Sequence, residues 1–244
     1  MKKVLLVIPA YNEQKNIIHV LEGIKRCDAE VDILVINDCS KDATKEVVEQ
    51  KGYNIISLCA NLGYSGAIQT GLKYALLRNY QYVVQFDGDG QHDPREINRL
   101  IEAIENEKCD IVIGSRFIVK NQYKHGLFRI LGTNMFSHII KVFTKKEITD
   151  PTSGLQIINR DAFKYYVDSG NYPEYPDANI LILMIRAGFN IKEIPVIMHD
   201  RLSGVGMHDS PIKNIKYVIA MLYSIFLCVL KGKRNLKEVK GIGI

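Results

Sequence analysis

Five short apolar runs, separated by helical patterns, occupy the first 116 residues and constrain the fold more than any other feature of this chain. The runs are KVLLVIPA at 3–10, VDILVIND at 31–38, YNIISLC at 53–59, YQYVVQFD at 80–87 and CDIVIGSR at 109–116. Helical patterns between them cover 13–26, 40–50, 65–77 and 94–106. Apolar strands that alternate with helices form parallel sheets covered by helices on both faces. We therefore expect an α/β fold with a mostly parallel, twisted sheet.

Polar side chains follow each of these apolar runs. They are Asn12, Glu13, Asp38, Asn61, Asp87, Asp89 and Arg116. Parallel strands end at the same edge of a sheet, and ligands of such folds bind outside that edge. These side chains should therefore converge on one rim, where we expect the functional site.

The second half of the chain has a different element pattern but a similar composition. Its predicted elements are a helix at 128–144, a turn and strand at 150–160, a short helix at 161–169, a helix ending at Gly188 and an edge-like strand at 191–201 that Pro195 interrupts. No repeat or change of composition precedes residue 211. We therefore predict one domain over 1–210, with a first half at 1–116 and a second half at 117–210.

Residues 211–244 form a basic tail. They carry seven Lys or Arg and one Glu, a net charge of +6, so the rest of the chain sums to −1 of the total +5. A nucleic-acid binder more often has its basic patch on the folded domain, so we expect no nucleic acid partner. The tail includes the apolar stretch 217–230, whose 14 residues span about 21 Å as a helix, short of the ~30 Å hydrocarbon core. With lysines on both sides, it predicts an amphipathic or apolar helix at an anionic membrane surface, or a packing helix within the protein or an oligomer.

Two features indicate the cytoplasm. The apolar run Val4–Ile8 before Pro9 is too short for a secretory signal. The five cysteines are scattered and form no CxxC pair, as expected of reduced cysteines.

Asp87 and Asp89 stand two residues apart at the end of a predicted strand. Neighbouring carboxylates raise each other's pKa, so a cation is expected between them. Oxygen ligands suit Mg²⁺ or Mn²⁺, and Mg²⁺ often takes one or two carboxylates plus substrate phosphates. An acidic surface loop is the alternative interpretation.

Five motifs in fixed order carry a family resemblance. They are IPAYNE at 8–13, INDCSKDAT at 36–44, NLGYSGAIQTGL at 61–72, DGDGQHDP at 87–94 and GSRF at 114–117, followed by EIPVIMHDRLSGVGMH at 193–208. In these motifs the chain resembles glycosyltransferase family 2, the inverting sugar transferases of GT-A-type fold. Within that family it looks most like the polyprenyl-phosphate sugar transferases related to dolichyl-phosphate mannose synthase. The resemblance implies that 1–116 is the nucleotide-sugar-binding half and 117–210 the acceptor-binding half.

The resemblance also implies three groups of site residues. The nucleotide-binding residues would be Pro9, Tyr11, Glu13, Asp38, Gly63, Gly66, Asp87 and Arg116, with Asp38 hydrogen-bonding the base or ribose. The metal ligands would be Asp87, Asp89 and Gln91. The catalytic residues would be Asp177, Arg201 and Arg129, and Arg116, Arg129 and Arg201 would all meet phosphate charge.

Several of these residues have a second interpretation in ordinary structure. Glu13 and Asp38 suit the start of a helix, and Arg129 suits a solvated helix face. His92 fits a neighbour of the metal site or a solvated loop equally well. Asp177 follows Pro176 before an apolar helix, so it is either the N-cap or a base that deprotonates an acceptor hydroxyl.

The expected activity is transfer of a sugar, with inversion, from a UDP- or GDP-linked donor to a polyprenyl phosphate or a lipid-linked glycan at the inner face of the cell membrane. A small membrane protein or a second copy of the chain is a further expected partner. Transfer to a hydroxyl of a cell-surface polysaccharide, with Asp177 as base, is one alternative. A non-catalytic membrane-associated scaffold is another. A dehydrogenase or nucleotidyltransferase would need a glycine-rich phosphate loop after the first strand. The sequence PAYNE at that place is not such a loop.

Overall fold

The computed structural model describes residues 3–119, 127–167, 173, 175–201 and 211–230. The side chains of 127–129 and 211–214 lie outside the described part.

Within the described residues, seven strands form a single sheet in the order β3-β2-β1-β4-β6-β5-β7. They are β1 (Val4–Ala10), β2 (Asp32–Asn37), β3 (Asn54–Ser57), β4 (Tyr82–Gln85), β5 (Ile111–Ser115), β6 (Gln156–Asn159) and β7 (Ile191–Pro195). Strand β6 runs antiparallel to both of its neighbours, β4 and β5, and every other pairing is parallel. The predicted mostly parallel sheet is confirmed. Pro195 ends β7 at the edge of the sheet, where its missing N–H breaks no ladder.

Eight helices accompany these strands in the described part of the chain. They are α1 (Ile17–Arg26), α2 (Thr44–Gln50), α3 (Gly63–Leu77), α4 (Glu96–Asn106), α5 (Leu127–Thr144), α6 (Arg160–Val167), α7 (Ala178–Ala187) and α8 (Pro211–Leu230). The predicted end of α7 is confirmed, because Gly188 adopts the left-handed conformation with φ +100°.

Each face of the sheet has its own hydrophobic core. On β1, Leu5 and Val7 belong to the core that contains α3, whereas Leu6 and Ile8 belong to the core that contains α1 and α4. Because successive side chains of a strand point to opposite faces, burial on both sides requires an apolar residue at every position. This explains the continuous apolar runs of the sequence.

Helices α1 and α2 begin later than their sequence patterns predict. The pattern from 13 yields a helix from Ile17, and the pattern from 40 yields a helix from Thr44. The polar residues before them join two loops instead. The Asn12 amide donates to Ser40 Oγ (2.9 Å), and the Lys41 amide donates to Asn12 Oδ1 (2.8 Å). Contacts between the two loops therefore hold the residues that precede both helices.

Helix α8 packs against α7 with one face. Met221 and Ile225 are buried there and belong to the core on the α3 side of the sheet. The opposite face exposes apolar side chains to solvent; they are Ile215, Ile219, Leu222, Tyr223, Phe226 and Leu230. Part of α8 therefore shares a hydrophobic core with α3, and the predicted division at residue 210 stays a prediction. Among the described helices, none has the length and apolar character needed to cross a bilayer.

Candidate active site

The carboxyl edge of the sheet gathers acidic residues around one arginine. Arg201 donates from Nη2 to Glu13 Oε1 (2.5 Å), and its Nε lies 3.9 Å from Asp89 Oδ2. Glu13 follows β1 and Asp89 follows β4, so the two strands bring these carboxylates together at neighbouring positions. Burial raises the pKa of both carboxyls, and the charge of Arg201 opposes that shift. The predicted rim therefore exists, and Arg201 supplies positive charge to it.

The buried ring of His92 contacts both the backbone amide and the carboxylate of Asp87. The Asp87 amide donates to His92 Nδ1 (3.0 Å), and His92 Nε2 lies 3.4 Å from Asp87 Oδ2. Burial lowers the pKa of His92 to about 4, so the ring is neutral at neutral pH. A neutral ring that accepts at Nδ1 carries its proton on Nε2, which faces the carboxylate. The solvated-loop interpretation of His92 is wrong, since only 3% of the residue is exposed.

The Asp87 carboxylate suits a metal ligand. Its Oδ1 atom is buried and has no hydrogen-bond partner among the described residues. Desolvation raises the pKa of Asp87 to about 6, against the lowering effects of Tyr64, Arg116 and Arg201. An oxygen of this kind is costly unless something positive binds it. The pair Asp87 and Asp89 therefore fits a hard divalent cation.

Protein ligands alone do not complete such a site. The described residues contain no group of three or more His, Cys, Asp or Glu side chains arranged to hold a metal ion. Two carboxylates fit a cation that takes its remaining ligands from water and a diphosphate. Gln91 contacts Asp89 through its backbone amide, which donates to Asp89 Oδ1 (3.0 Å). A metal contact by the Gln91 side chain stays a prediction.

Arg116 has a partner that the sequence did not single out. Its Nε donates to Asp150 Oδ2 (2.6 Å) and its Nη2 donates to Asp150 Oδ1 (2.7 Å), a bidentate pair in which Asp150 is completely buried. Asp150 begins the DPTSG turn, which ends at Gly154 beside the site. A Cβ on Gly154 would lie 2.9 Å from Asp87 Oδ2, so only glycine permits this approach. Through Asp150, Arg116 thus holds the turn that lies beside Asp87. A contact between Arg116 and phosphate stays a prediction.

The predicted nucleotide loop is held by Asp38. Its two carboxylate oxygens accept hydrogen bonds from the amides of Leu62 (2.7 Å) and Gly63 (2.8 Å) at the start of α3. Gly63 has φ +75°, a conformation that favours glycine, and a Cβ on Gly66 would lie 2.4 Å from that of Leu62. Asp38 and both glycines therefore build the loop, and direct contacts of Asp38 with a ribose or base stay predictions.

The remaining nucleotide residues lie at the same edge. Pro9 is the penultimate residue of β1, and its carbonyl oxygen would be 3.2 Å from a Cβ on Gly88 in the Asp87–Asp89 loop. Tyr11 follows the strand and is 43% exposed. Both positions agree with a pocket at the end of β1, and their nucleotide contacts stay predictions. The Arg129 side chain lies outside the described residues.

Asp177 is not a side-chain N-cap. It precedes α7, but its carboxylate makes no cap hydrogen bond. Instead, Tyr217 of α8 donates its hydroxyl to Asp177 Oδ2 (2.6 Å). Desolvation raises the pKa of Asp177 to about 6; Tyr217 and Arg116 lower it, and Asp150 and Asp87 raise it further. These interactions link Asp177 electrostatically to the Asp87 and Arg116 side of the site.

Comparison with known proteins identifies the family. A family model described as glycosyl transferase family 2 matches residues 5–167 of this chain. The chain belongs to glycosyltransferase family 2. The family 2 resemblance inferred from the motifs is therefore confirmed.

Several relatives have names that state a function, and two of them illustrate the similarity. A UDP-N-acetylglucosamine–dolichyl-phosphate N-acetylglucosaminyltransferase of Methanococcus voltae is 31% identical over 214 residues, which is 80% of this chain and 85% of the relative. A polyprenol monophosphomannose synthase of Mycolicibacterium smegmatis is 26% identical over 231 residues, 90% of this chain and 86% of the relative. Both are similar to this family 2 chain over most of their length.

A solved structure shares the fold. Glucosyl-3-phosphoglycerate synthase from Mycobacterium tuberculosis, in complex with Mn²⁺, UDP and glucosyl-3-phosphoglycerate, superposes with a TM-score of 0.70 at 17% identity. The match covers 92% of this chain and 80% of that one. The family 2 chain thus has the predicted GT-A-type fold.

Proposed function

We propose that this family 2 glycosyltransferase transfers a sugar, with inversion, from a nucleotide-sugar donor to a polyprenyl phosphate. The observation that carries the proposal is the cluster at the carboxyl edge of the sheet. There the unpartnered Oδ1 of Asp87 lies in the same site as Asp89, Glu13 and Arg201. Paired carboxylates beside an arginine suit a nucleoside diphosphate bound through a divalent metal.

Donor binding would use both the carboxylates and the arginine of the site. Asp87 and Asp89, with Gln91 as a further candidate, would hold Mg²⁺ or Mn²⁺, which would supply charge stabilisation to the departing diphosphate. The Mn²⁺ and UDP in the solved structure of similar fold support this choice. In the described structure Arg201 is engaged by Glu13. We expect Arg201 to exchange that carboxylate for a phosphate, which guanidinium groups bind in bidentate fashion.

The acceptor is proposed from the relatives. One is named for dolichyl phosphate and the other for polyprenol monophosphomannose. A phosphate monoester has its second pKa near 6, so at neutral pH it is already a charged nucleophile. It needs cations such as Arg201 and Arg129 to place it, and no general base.

A lipid acceptor requires access to a membrane, and α8 offers the means. Its outer face exposes Ile219, Tyr223 and Phe226, and Lys216 is exposed at its start. An apolar helix face beside basic residues suits the interface of an anionic membrane. We propose that the protein acts peripherally at the inner face of the cell membrane, with a small membrane protein or a second copy as a further partner.

A hydroxyl acceptor is the second candidate, and Asp177 favours it. Its carboxyl has a pKa raised to about 6 and makes no cap hydrogen bond, both of which suit a general base. In that case the substrate would be a glycan hydroxyl, which is a poor nucleophile without deprotonation.

A donor screen tests the proposal. The full chain is incubated with UDP-N-acetylglucosamine, UDP-glucose or GDP-mannose, in Mn²⁺, Mg²⁺ or EDTA, with undecaprenyl phosphate added or omitted. We expect one donor to be turned over only with metal and much faster with the lipid phosphate. Failure of every donor, together with no binding of UDP or GDP by calorimetry, would favour the scaffold and overturn the proposal.

A further inference from the structure

Helix α8 reaches the candidate active site through one side chain. Tyr217 lies in its second turn and donates its hydroxyl to Asp177 Oδ2 at 2.6 Å. Asp177 is partly buried at the start of α7, and its carboxylate does not cap that helix. The hydrogen bond therefore orients the carboxylate rather than stabilising a helix end.

The Tyr217 ring is held independently of its hydroxyl. It meets Tyr175 edge-on with ring centroids 5.1 Å apart, and it meets Phe136 of α5 edge-on at 6.0 Å. Aromatic rings in this arrangement attract each other beyond their simple burial. Loss of the hydroxyl alone should leave the ring in place.

The register of α8 along α7 is also set by polar contacts. Asn179, which is completely buried, donates from Nδ2 to Ser224 Oγ (2.7 Å), and its Oδ1 accepts from the Asp177 amide (3.0 Å). Near the other end of α7, Arg186 donates to the Val229 carbonyl (3.1 Å). Ser224 lies about two helical turns after Tyr217. These contacts hold α8 rigidly against the backbone of Asp177.

Asp177 faces charged or titratable groups from every side of the site. They are Tyr217 of α8, Tyr166 of α6, Arg116 after β5, Asp150 before β6 and Asp87 after β4. Among them the carboxylates repel the Asp177 charge, whereas Tyr217 donates a hydrogen bond to it. A hydrogen bond to the charged form keeps a carboxylate ionised and fixed in direction.

We propose that Tyr217 is a positioning residue of the active site, whose hydroxyl holds the Asp177 carboxylate where it accepts a hydrogen bond from a sugar hydroxyl of the donor or the acceptor. The inference rests on the proposed sugar transfer. It makes α8 part of the catalytic domain, so that the helix with the exposed apolar face also completes the reaction site.

The test uses Tyr217→Phe in the full chain, with Tyr80→Phe as the matched control. Tyr80 also donates to an aspartate, Asp32 Oδ2 at 2.7 Å, but it lies before β4 at the amino end of the sheet. Turnover of the donor selected in the screen is measured with undecaprenyl phosphate in detergent, and affinity for that donor's nucleoside diphosphate is measured by calorimetry. We expect Tyr217→Phe to lower kcat about tenfold with this affinity unchanged, and Tyr80→Phe to change kcat less than about twofold.

Two further measurements separate positioning from a structural effect. Without the hydrogen bond the pKa of Asp177 should rise, so the acidic limb of the rate profile should move to higher pH. In a double-mutant cycle, Tyr217→Phe should add almost nothing to the loss in Asp177→Asn. If Tyr217→Phe acted through a folding defect, its loss would instead be independent of Asp177, and the two losses would multiply.

The inference fails if wild type turns over donor but Tyr217→Phe keeps its kcat and pH profile, or if the two losses multiply. An inactive wild type that also binds no nucleotide would instead refute the proposed function.

Discussion

At Asp87, the backbone amide and the carboxylate both contact the ring of His92. The histidine is neutral because burial lowers its pKa to about 4, so it orients the carboxylate without neutralising it. The oxygen left without a partner, Oδ1, is then available to a cation. The described residues therefore already hold the Asp87 carboxylate in an orientation that suits a cation.

Asp87→Asn/Asp89→Asn should abolish metal-dependent turnover and keep the fold. We expect activity to fall by about 10² or more, a loss typical when charge stabilisation of a leaving group is removed. Burial raises the folded pKa of both carboxyls above the ordinary value of an aspartate, so ionisation costs the fold stability. The double variant should therefore unfold at equal or higher urea concentration at pH 7, and the difference should vanish below about pH 4.

The matched control for this pair is Asp28→Asn. Asp28 is exposed and has φ +49°, a conformation that asparagine also tolerates. It should change neither turnover nor stability. Wild-type turnover in the double variant would show that the metal assignment is wrong.

Asp150→Asn should destabilise the protein strongly. The substitution leaves the Arg116 guanidinium facing a neutral amide at a fully buried position. Removing one partner of a buried ion pair typically costs about 3–5 kcal/mol. Glu22→Gln is the control, because the Lys51–Glu22 pair is about half exposed and such pairs contribute about 0–1 kcal/mol. Urea unfolding of both variants checks the difference, and equal small effects would contradict it.

At the scale of elements, α8 has two apolar faces with different neighbours. Met221 and Ile225 contact the domain, whereas Ile219 and Phe226 are 63% and 58% exposed. A helix that only stabilised the domain would not need the second face to be apolar. The exposed apolar outer face therefore supports the proposed contact with a membrane.

Ile219→Asn/Phe226→Asn should weaken binding to anionic liposomes without affecting UDP binding. Full burial of one large apolar side chain contributes about 1.5–3 kcal/mol, so loss of two should lower liposome affinity at least tenfold. Leu77→Asn is the control, because Leu77 is 81% exposed on α3. Cosedimentation measures the affinity, and equal binding of the double variant and the control would argue against a membrane-binding outer face.

At the scale of the whole molecule, the residues of the candidate site come from both halves of the chain. Asp87 comes from the first half, Asp177 and Arg201 come from the second, and Tyr217 comes from α8. The acceptor's chemistry decides which of these residues matters most. A lipid phosphate depends on cations, whereas a glycan hydroxyl depends on a base.

Asp177→Asn distinguishes these acceptors. With polyprenyl phosphate as nucleophile, we expect a loss of about ten- to a hundredfold, because only the orientation of a sugar hydroxyl is disturbed. Loss of a general base for a hydroxyl acceptor can reach about 10⁴-fold. Arg201→Ala should then lose more activity than Asp177→Asn on the lipid phosphate. Rates on undecaprenyl phosphate and on a glycan acceptor, at saturating donor, measure both losses, and the reverse order would favour the hydroxyl acceptor.

The sequence by itself determined the strands, the helices between them and the edge where Asp87 and Asp89 lie. These features depend on local apolar periodicity and on strand ends, which are written in consecutive residues. The motifs determined the family for the same reason, since their residues are close together in the chain. The late starts of α1 and α2 lay beyond such reasoning, because the residues before them bond to loop partners 28 and 29 residues away.

Only the tertiary structure decided which charges meet. Arg116 pairs with Asp150, 34 residues away, and Tyr217 donates to Asp177 across 40 residues. Neither pair leaves a periodic signal, because a buried polar contact depends on how the sheet and helices pack, including the antiparallel insertion of β6. His92 was equally ambiguous in sequence, since burial alone makes it a neutral partner of Asp87. Local patterns specify elements, whereas burial and long-range contacts specify the protonation and partners of the side chains on them.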